Sequence, residues 1–389
     1  MADANPFETL INDLAKEIYS GKIGPHQIPA ELSLRIGNHL NSALNEAIPP
    51  LKFGYTDPEN RLAAKLRANI YSFAAAKSLE EMKKYNQLLL DNDGKVKPFK
   101  QYRDDCTKAG LVFNIGHLKT EREFALASAQ TAVEWQQYNE SEILQWSTIE
   151  DEKTCPICGP LDGVAYPKNN GFWKKISPPV HFHCRCRIIP AKETNEALMP
   201  AHKSIKDNKI PPYCQNNAGV TEVIFDNNYP MMNNLQKSDL SFDRTYNMPT
   251  AEHIYSTNEF KPAPEPSSPE QAYIDWHNMA KDAGEFDIKD LNGTSIHFDQ
   301  EFYDKLLKKR TEGRWKMIPA FEEILKNPDE VWFFKGRIVS EQAENTAYIK
   351  YYKDEPYMII ANYDRATTAY PVDLKKLDAK RRGILMHRK

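Results

Sequence analysis

The sequence predicts a multidomain chain. A mainly α N-terminal domain with a small cysteine-rich end precedes a C-terminal α+β domain, in which helices pack on an antiparallel sheet. Three observations carry this. Apolar residues recur at three- and four-residue spacing up to about residue 150. Four of the six cysteines fall between residues 155 and 186. Short runs rich in aromatic and β-branched residues follow one another after residue 329.

Length and composition set the frame. At 389 residues the chain exceeds one ordinary core, so two domains and a connection are expected. With 41% hydrophobic and 27% charged residues, the composition is that of a soluble globular protein. A formal net charge of -3 argues against a surface coated in nucleic acid, while leaving room for local basic patches. The first residues show no basic stretch followed by an apolar run, so no signal peptide is expected. No run approaches roughly 18 apolar residues, so no membrane-spanning helix is expected either.

Residues 1–195 read as the helical domain. "DPENRLAAKLRANIYSFAAAKSLEEMKKYNQLLLD" places Leu62, Leu66, Ile70 and Phe73 at helical spacing after an Asp57-Pro58 start. "HLKTEREFALASAQTAVEWQQYNES" is a second long helix, with Phe124, Ala125, Ala129, Ala132 and Trp135 near one face. Residues 196–268 lose periodicity and gather Pro and Asn, ending in "KPAPEPSSPE", which reads as a linker. In residues 269–389, helical segments precede "IPAFEEILKNPDE", a helix stopped by Asn327-Pro328. Strand-like runs come next: "EVWFF", "TAYIKYY", "PYMIIANY", "ATTAYPV" and "GILMH".

The cysteine cluster points to metal. A disulfide framework spreads its cysteines, whereas these cluster as C-x2-C and C-x-C, the usage of a reducing compartment. Tetrahedral zinc takes four ligands, and two ligands on one knuckle share one backbone geometry. Cys155, Cys158, His181 and Cys184 are the expected set, with Cys186 a rival for the last place and His183 a spectator. Ligands in excess of four favour a closed, structural zinc site over a catalytic one. Asp162 is expected to shape a turn with Gly163 rather than act as a base.

Taken in order, these residues resemble the phage Mu F-type head morphogenesis family of minor capsid proteins. The resemblance rests on Thr120-Glu121, Asp151, Glu152, Thr154, Cys155, Pro156, Cys158, Leu161, Asp162 and Gly163. It closes on Pro178, Pro179, His181, Cys184, Arg185 and Cys186, and spans roughly residues 50–190. It implies a minor head protein acting in capsid assembly or DNA packaging near the portal. Portal and capsid proteins and phage DNA are then the expected partners, with no membrane. The virion is the expected location, with the host cytoplasm during assembly or after delivery. Zinc would serve shape there, clamping an irregular end with too little apolar surface for a core.

The C-terminal runs "MIPAFEEILKNPDEVWFFKG", "AYIKYYKDEPYMIIANY" and "KKLDAKRRGILM" are similar to the phage-associated branch of the barnase–EndoU–colicin–RelE nuclease fold. The resemblance implies a sheet of four or five antiparallel strands and metal-independent cleavage of RNA, with host RNA a possible substrate. Attack by the substrate's 2′-hydroxyl needs a base, an acid for the leaving 5′-oxygen, and cations for the phosphorane charge. Residues 297–389 hold 19 Lys and Arg against 15 Asp and Glu, a basic excess suited to phosphate. His297, read as the start of the helix bearing Lys305, Lys308, Lys309 and Arg310, is the acid/base candidate. Lys350, Arg365, Arg381 and Arg382 are the candidate cations, and the hydroxyls of Thr367 and Thr368 can orient a phosphate. Tyr348, Tyr351 and Tyr352 can stack bases or fill the core. No Glu stands out as a general base. A purely structural protein whose C-terminal domain binds nucleic acid or capsid without catalysis is the alternative.

Overall fold

A computed structural model describes residues 6–49, 52–195, 210–235, 246–280, 284–308, 313–336 and 343–389. Lys309, Arg310 and parts of the expected linker lie outside the described residues.

Five long helices build the first region: α1 (Pro6–Tyr19), α2 (Ala30–Ala47), α3 (Pro58–Leu88), α4 (Phe99–Leu111) and α5 (Leu118–Gln137). Between α4 and α5, Val112–His117 widens into a π-helix. Pro58 opens α3 because its ring fixes a helical φ and its missing N–H would have had no partner there. This helix is apolar on two sides. Leu62, Leu66, Ile70 and Phe73 enter a helical core, while Ala68, Tyr71, Ala75 and Leu79 enter a second core shared with the sheet. A helix apolar nearly all round is a buried one, and α3 is the wall between both cores. Gly37 of α2 lets it approach α3, since a Cβ there would sit 2.5 Å from the Tyr71 ring.

The small end after α5 is a three-stranded antiparallel sheet in the order β2 (Ala165–Pro167), β1 (Ile143–Ser147), β3 (Arg187–Pro190). It is not short of apolar surface, contrary to expectation. Trp146 and Trp173 are fully buried beside Leu161 and Val164, continuous with the helical core.

The stretch expected as a linker is packed over much of its described length, while its Pro-rich end, residues 261–268, is mostly exposed. Residues 210–235, with the short helix α6 (Ala218–Thr221), lie on the helical core. Phe225 stacks on Phe73 at 3.9 Å, and the Asn69 side chain pairs with the backbone of Ile224 and Phe225. Residues 246–265, with α7 (Ala251–Thr257), lie on the sheet instead: Tyr246 meets the Trp332 ring, and Tyr357 donates to Glu265 at 2.6 Å.

The second region begins with α8 (Pro269–Ala280), β4 (Phe286–Lys289), β5 (Ser295–Phe298) and α9 (Gln300–Leu307). It continues through α10 (Phe321–Lys326), β6 (Glu330–Lys335), β7 (Glu344–Lys350), β8 (Tyr357–Asn362) and β9 (Arg365–Pro371). It closes with α11 (Leu374–Leu377) and β10 (Ile384–Arg388). Five strands fall where the sequence placed them, but the sheet has seven, in the order β10-β6-β7-β8-β9-β5-β4. The two additional strands form a hairpin around Asn292-Gly293, and β5 joins β9 as the one parallel pair of an otherwise antiparallel sheet. His297 therefore sits on a strand rather than at a helix start; Asp299 caps the helix, accepting the Phe302 N–H.

Candidate functional site

The C-x2-C knuckle folds as a turn in which the Cys158 N–H points at the Cys155 sulfur, 3.3 Å away. His181 Nε2 lies 3.1 Å from the Cys155 sulfur and 3.2 Å from that of Cys158, and Cys184 Sγ is 3.9 Å from Cys158 Sγ. Cys155, Cys158 and His181 form one group able to hold a metal, and Cys158, Cys184 and Cys186 another, each within 4.8 Å. Cys158 belongs to both. His181 Nδ1 lies 2.7 Å from the Phe182 carbonyl; donating there leaves Nε2 as the ligand atom. The Cys158 and Cys186 side chains pull the Cys184 thiol well below its usual value, while contacts with Cys184 and Cys186 and burial push the Cys158 thiol up. Sulfur and imidazole donors at these separations fit a tetrahedral metal. His183 turns away to Glu123 at 2.8 Å, and Asp162 accepts from the Thr148 N–H and hydroxyl, shaping the turn at Gly163.

The seven polar candidates of the sheet region separate into three places. His297 and Arg365 meet, as register partners of β5 and β9. The His297 N–H donates to the Asp364 carbonyl at 2.8 Å, its Nδ1 meets Asp287 at 2.8 Å, and its Nε2 faces Glu285 at 3.6 Å. Only 15% of its side chain is exposed, because the Tyr55 ring lies flat against it. Arg365 donates through Nε to Asp299 at 2.9 Å. Against the penalty of burial, the Phe302 N–H and Arg365 hold the Asp299 carboxyl below its usual range.

Lys350 and Arg381 are framework, not surface cations. Lys350 is paired with Asp329 at 3.1 Å. Arg381 grips both oxygens of Glu330 at 2.7 and 2.8 Å, with side chains 6% and 1% exposed respectively. The Glu330 carboxylate raises the Arg381 pKa despite burial of the pair. In this arrangement each cation is paired with a carboxylate of its own region. Tyr348, Tyr351 and Tyr352 are core as well, all three buried.

Arg382 and Thr368 belong to the third place. The register puts Thr368 and Tyr370 of β9 on one face with Ile360 and Met358 of β8, since side chains alternate along a strand. Arg314 lies over the Tyr370 ring at 5.2 Å and donates to Thr368, Lys380 lies over the same ring at 5.6 Å, and Arg382 lies over Phe334 at 4.7 Å. Burial pushes the Tyr370 hydroxyl up and Arg314 and Arg382 oppose the shift. The strand registers put Phe334 on the same sheet face as Tyr370, so the three cations lie on one face. Thr367 stands at the β8–β9 irregularity and donates to the Ile360 carbonyl at 3.0 Å.

Residues 115–189 match the family model of Phage Mu protein F like protein. Residues 278–388 match that of phage-Barnase-EndoU-ColicinE5/D-RelE like nuclease2. Both resemblances are met. The Mu F-like match is shorter than the roughly 50–190 expected, and the nuclease-like match lies within residues 269–389 and reaches beyond the quoted runs to take in β4 and β5. Neither a curated protein nor a solved structure matches the chain.

The sequence does not mark Arg314, Tyr370 and Lys380, nor Tyr55 and Arg61, which lie across the seam where residues 53–67 meet β4, β5 and the β8–β9 turn. The Asn292-Gly293 pair, a strong hairpin signal, was enough to place His297 on a strand. Nothing local marks Tyr55.

Proposed function

We propose that the chain is a phage minor head protein whose C-terminal sheet is a metal-independent ribonuclease-type domain. The observation that supports it is that one chain joins a Mu F-like segment, with its metal-type cluster, to a nuclease-like sheet carrying a cation–aromatic face. In this reading the cluster holds one structural zinc through Cys155, Cys158, His181 and one of Cys184 and Cys186. The helical region serves head assembly or DNA packaging with portal and capsid proteins, in the virion, and host RNA is the substrate after delivery.

The chemistry needs only the substrate's own nucleophile. A base takes the 2′-hydroxyl proton, O2′ bonds to phosphorus, the P–O5′ bond breaks, and an acid returns a proton to O5′. The products are a 2′,3′-cyclic phosphate and a 5′-hydroxyl. His297 is the acid/base group, with Arg365 beside it for the phosphorane charge. Arg382 and Thr368, joined by Arg314, Lys380 and Tyr370, hold the RNA strand by charge and stacking. Arg365 and Tyr370 are five residues, roughly 17 Å, apart on β9, so the patch steers the strand rather than the scissile phosphate.

The covering of His297 favours a second reading, in which the sheet binds nucleic acid without cutting it. Incubation of the full chain with total tRNA separates the two on a gel. His297→Ala should lower cleavage by roughly 10²–10⁴-fold with the fold intact. Intact tRNA under all conditions, bound but uncut, would establish the second reading instead.

A further inference from the structure

We infer that residues 53–67 of the helical region form an intramolecular cap over the His297 seam, with Tyr55 seated where a substrate base would stack. The Tyr55 and His297 rings are 4.1 Å apart and 7° from parallel, the arrangement of a stacked aromatic pair. Aromatic side chains and nucleobases are interchangeable in such a stack, because every base has a π-face.

The segment is fastened on both sides of that ring. Before it, the Phe53 carbonyl accepts from Lys289 at 3.0 Å and from the Ser295 hydroxyl at 3.3 Å. After it, Asn60 pairs with the Ser295 backbone as a strand would, donating to its carbonyl at 3.0 Å and accepting from its N–H at 2.8 Å. Arg61 then donates to Asp364 at 2.6 Å and to Asn362 at 3.1 Å, beside Arg365. Arg67 closes the far end on Thr294 at 2.9 Å. These partners lie on the β4–β5 hairpin or at the end of β8 and the turn into β9, the part of the sheet that bears His297. The cap therefore covers the candidate acid/base group just before the start of α3, the helix whose later residues pack on the rest of the sheet.

RNA reaching His297 must displace the Tyr55 ring, so its apparent affinity is reduced by the fraction of chains in which the ring is out. Such a cap slows, without abolishing, access to His297 while the helical region is in place. The inference rests on the ribonuclease reading, and the test keeps the two apart.

The full chain is compared with Tyr55→Ala and Tyr55→Phe. Two quantities are read: the rate at which diethyl pyrocarbonate modifies His297, by mass spectrometry, and the rate of tRNA cleavage. Melting curves confirm that the flanking contacts hold each variant folded. Tyr55→Ala should speed both modification and cleavage, by roughly two- to tenfold as one stacked contact allows. Tyr55→Phe keeps the stack and should behave as the unaltered chain. Modification of His297 at an unchanged rate in Tyr55→Ala would overturn the cap. Cleavage by the unaltered chain that Tyr55→Ala leaves unchanged would overturn it while sparing the ribonuclease reading. Faster modification with no cleavage by any chain would remove that reading, and the inhibitory role with it.

Discussion

The cysteine cluster and the His297 seam are assembled in opposite ways. Every donor of the cluster lies between Cys155 and Cys186, in pairs two or three residues apart. The seam is stitched from contacts such as Asn60 with Ser295 and Arg61 with Asp364, 235 and 303 residues apart along the chain. A metal site can be written locally because one ion supplies the energy that fixes several side chains at once. The seam has no such single anchor; many hydrogen bonds and one ring stack hold it, so single substitutions should tune it by degrees. The difference is between a site that stands or falls as a unit and one that grades.

The largest effect should follow from breaking the unit. Cys158 is common to both possible ligand groups, so Cys158→Ser should abolish metal binding, from about one ion per chain to none. Local stability should drop by on the order of 10 kcal/mol. Hydrogen exchange should then open residues 143–190 and leave β6–β10 protected. Retention of a full metal equivalent would mean that the ligands lie elsewhere.

Next comes Arg381→Ala. It strands Glu330 buried and unpaired, and should cost about 3–5 kcal/mol in a urea titration of the sheet region. Loss of RNA affinity at undiminished stability would return Arg381 to the phosphate-binding role read from sequence.

A pH titration sharpens the comparison within the helical region. Burial pushes the Glu81 carboxyl up to about 7, among Lys77, Asn114, Tyr85 and Glu121. Folded Glu81 keeps its proton between about pH 4.5 and 7 while the unfolded chain gives it up, so the unfolded state binds fewer protons there. Stability is fully present below the unfolded value and falls as pH rises through that window, by about 3 kcal/mol at most. Glu81→Gln should flatten this slope; an unchanged slope would assign it to another group.

The smallest effect belongs to the sheet face. Arg382→Ala should weaken RNA binding modestly and flatten its log–log salt dependence by about one unit. An unaltered salt slope would take Arg382 off the RNA path.

What was legible follows the same division. Periodicity gave α3 and α5, punctuation by Asn327-Pro328 gave the end of α10, and five β-rich runs gave β6 to β10. Residue spacing alone exposed the cysteine cluster. The double role of α3 was hidden, because a pattern of apolar residues does not say which core each face meets. Lys350 and Arg381 read as surface cations because their burial depends on Asp329 and Glu330, 21 and 51 residues upstream. The chemistry of His297 is legible in the sequence, its place on β5 rather than at a helix start only through the Asn292-Gly293 turn, and its cover by Tyr55 exists only in the folded chain.

One measurement bears most directly on the proposed contrast between an end held by metal and a sheet that cleaves without it. The full chain is incubated with tRNA before and after EDTA treatment, and the ends of the products are analysed. Cleavage is expected to persist after chelation, leaving 2′,3′-cyclic phosphates and 5′-hydroxyls, even as residues 143–190 lose their exchange protection. Cleavage that disappears with the metal, or products ending in 5′-phosphates, would contradict it.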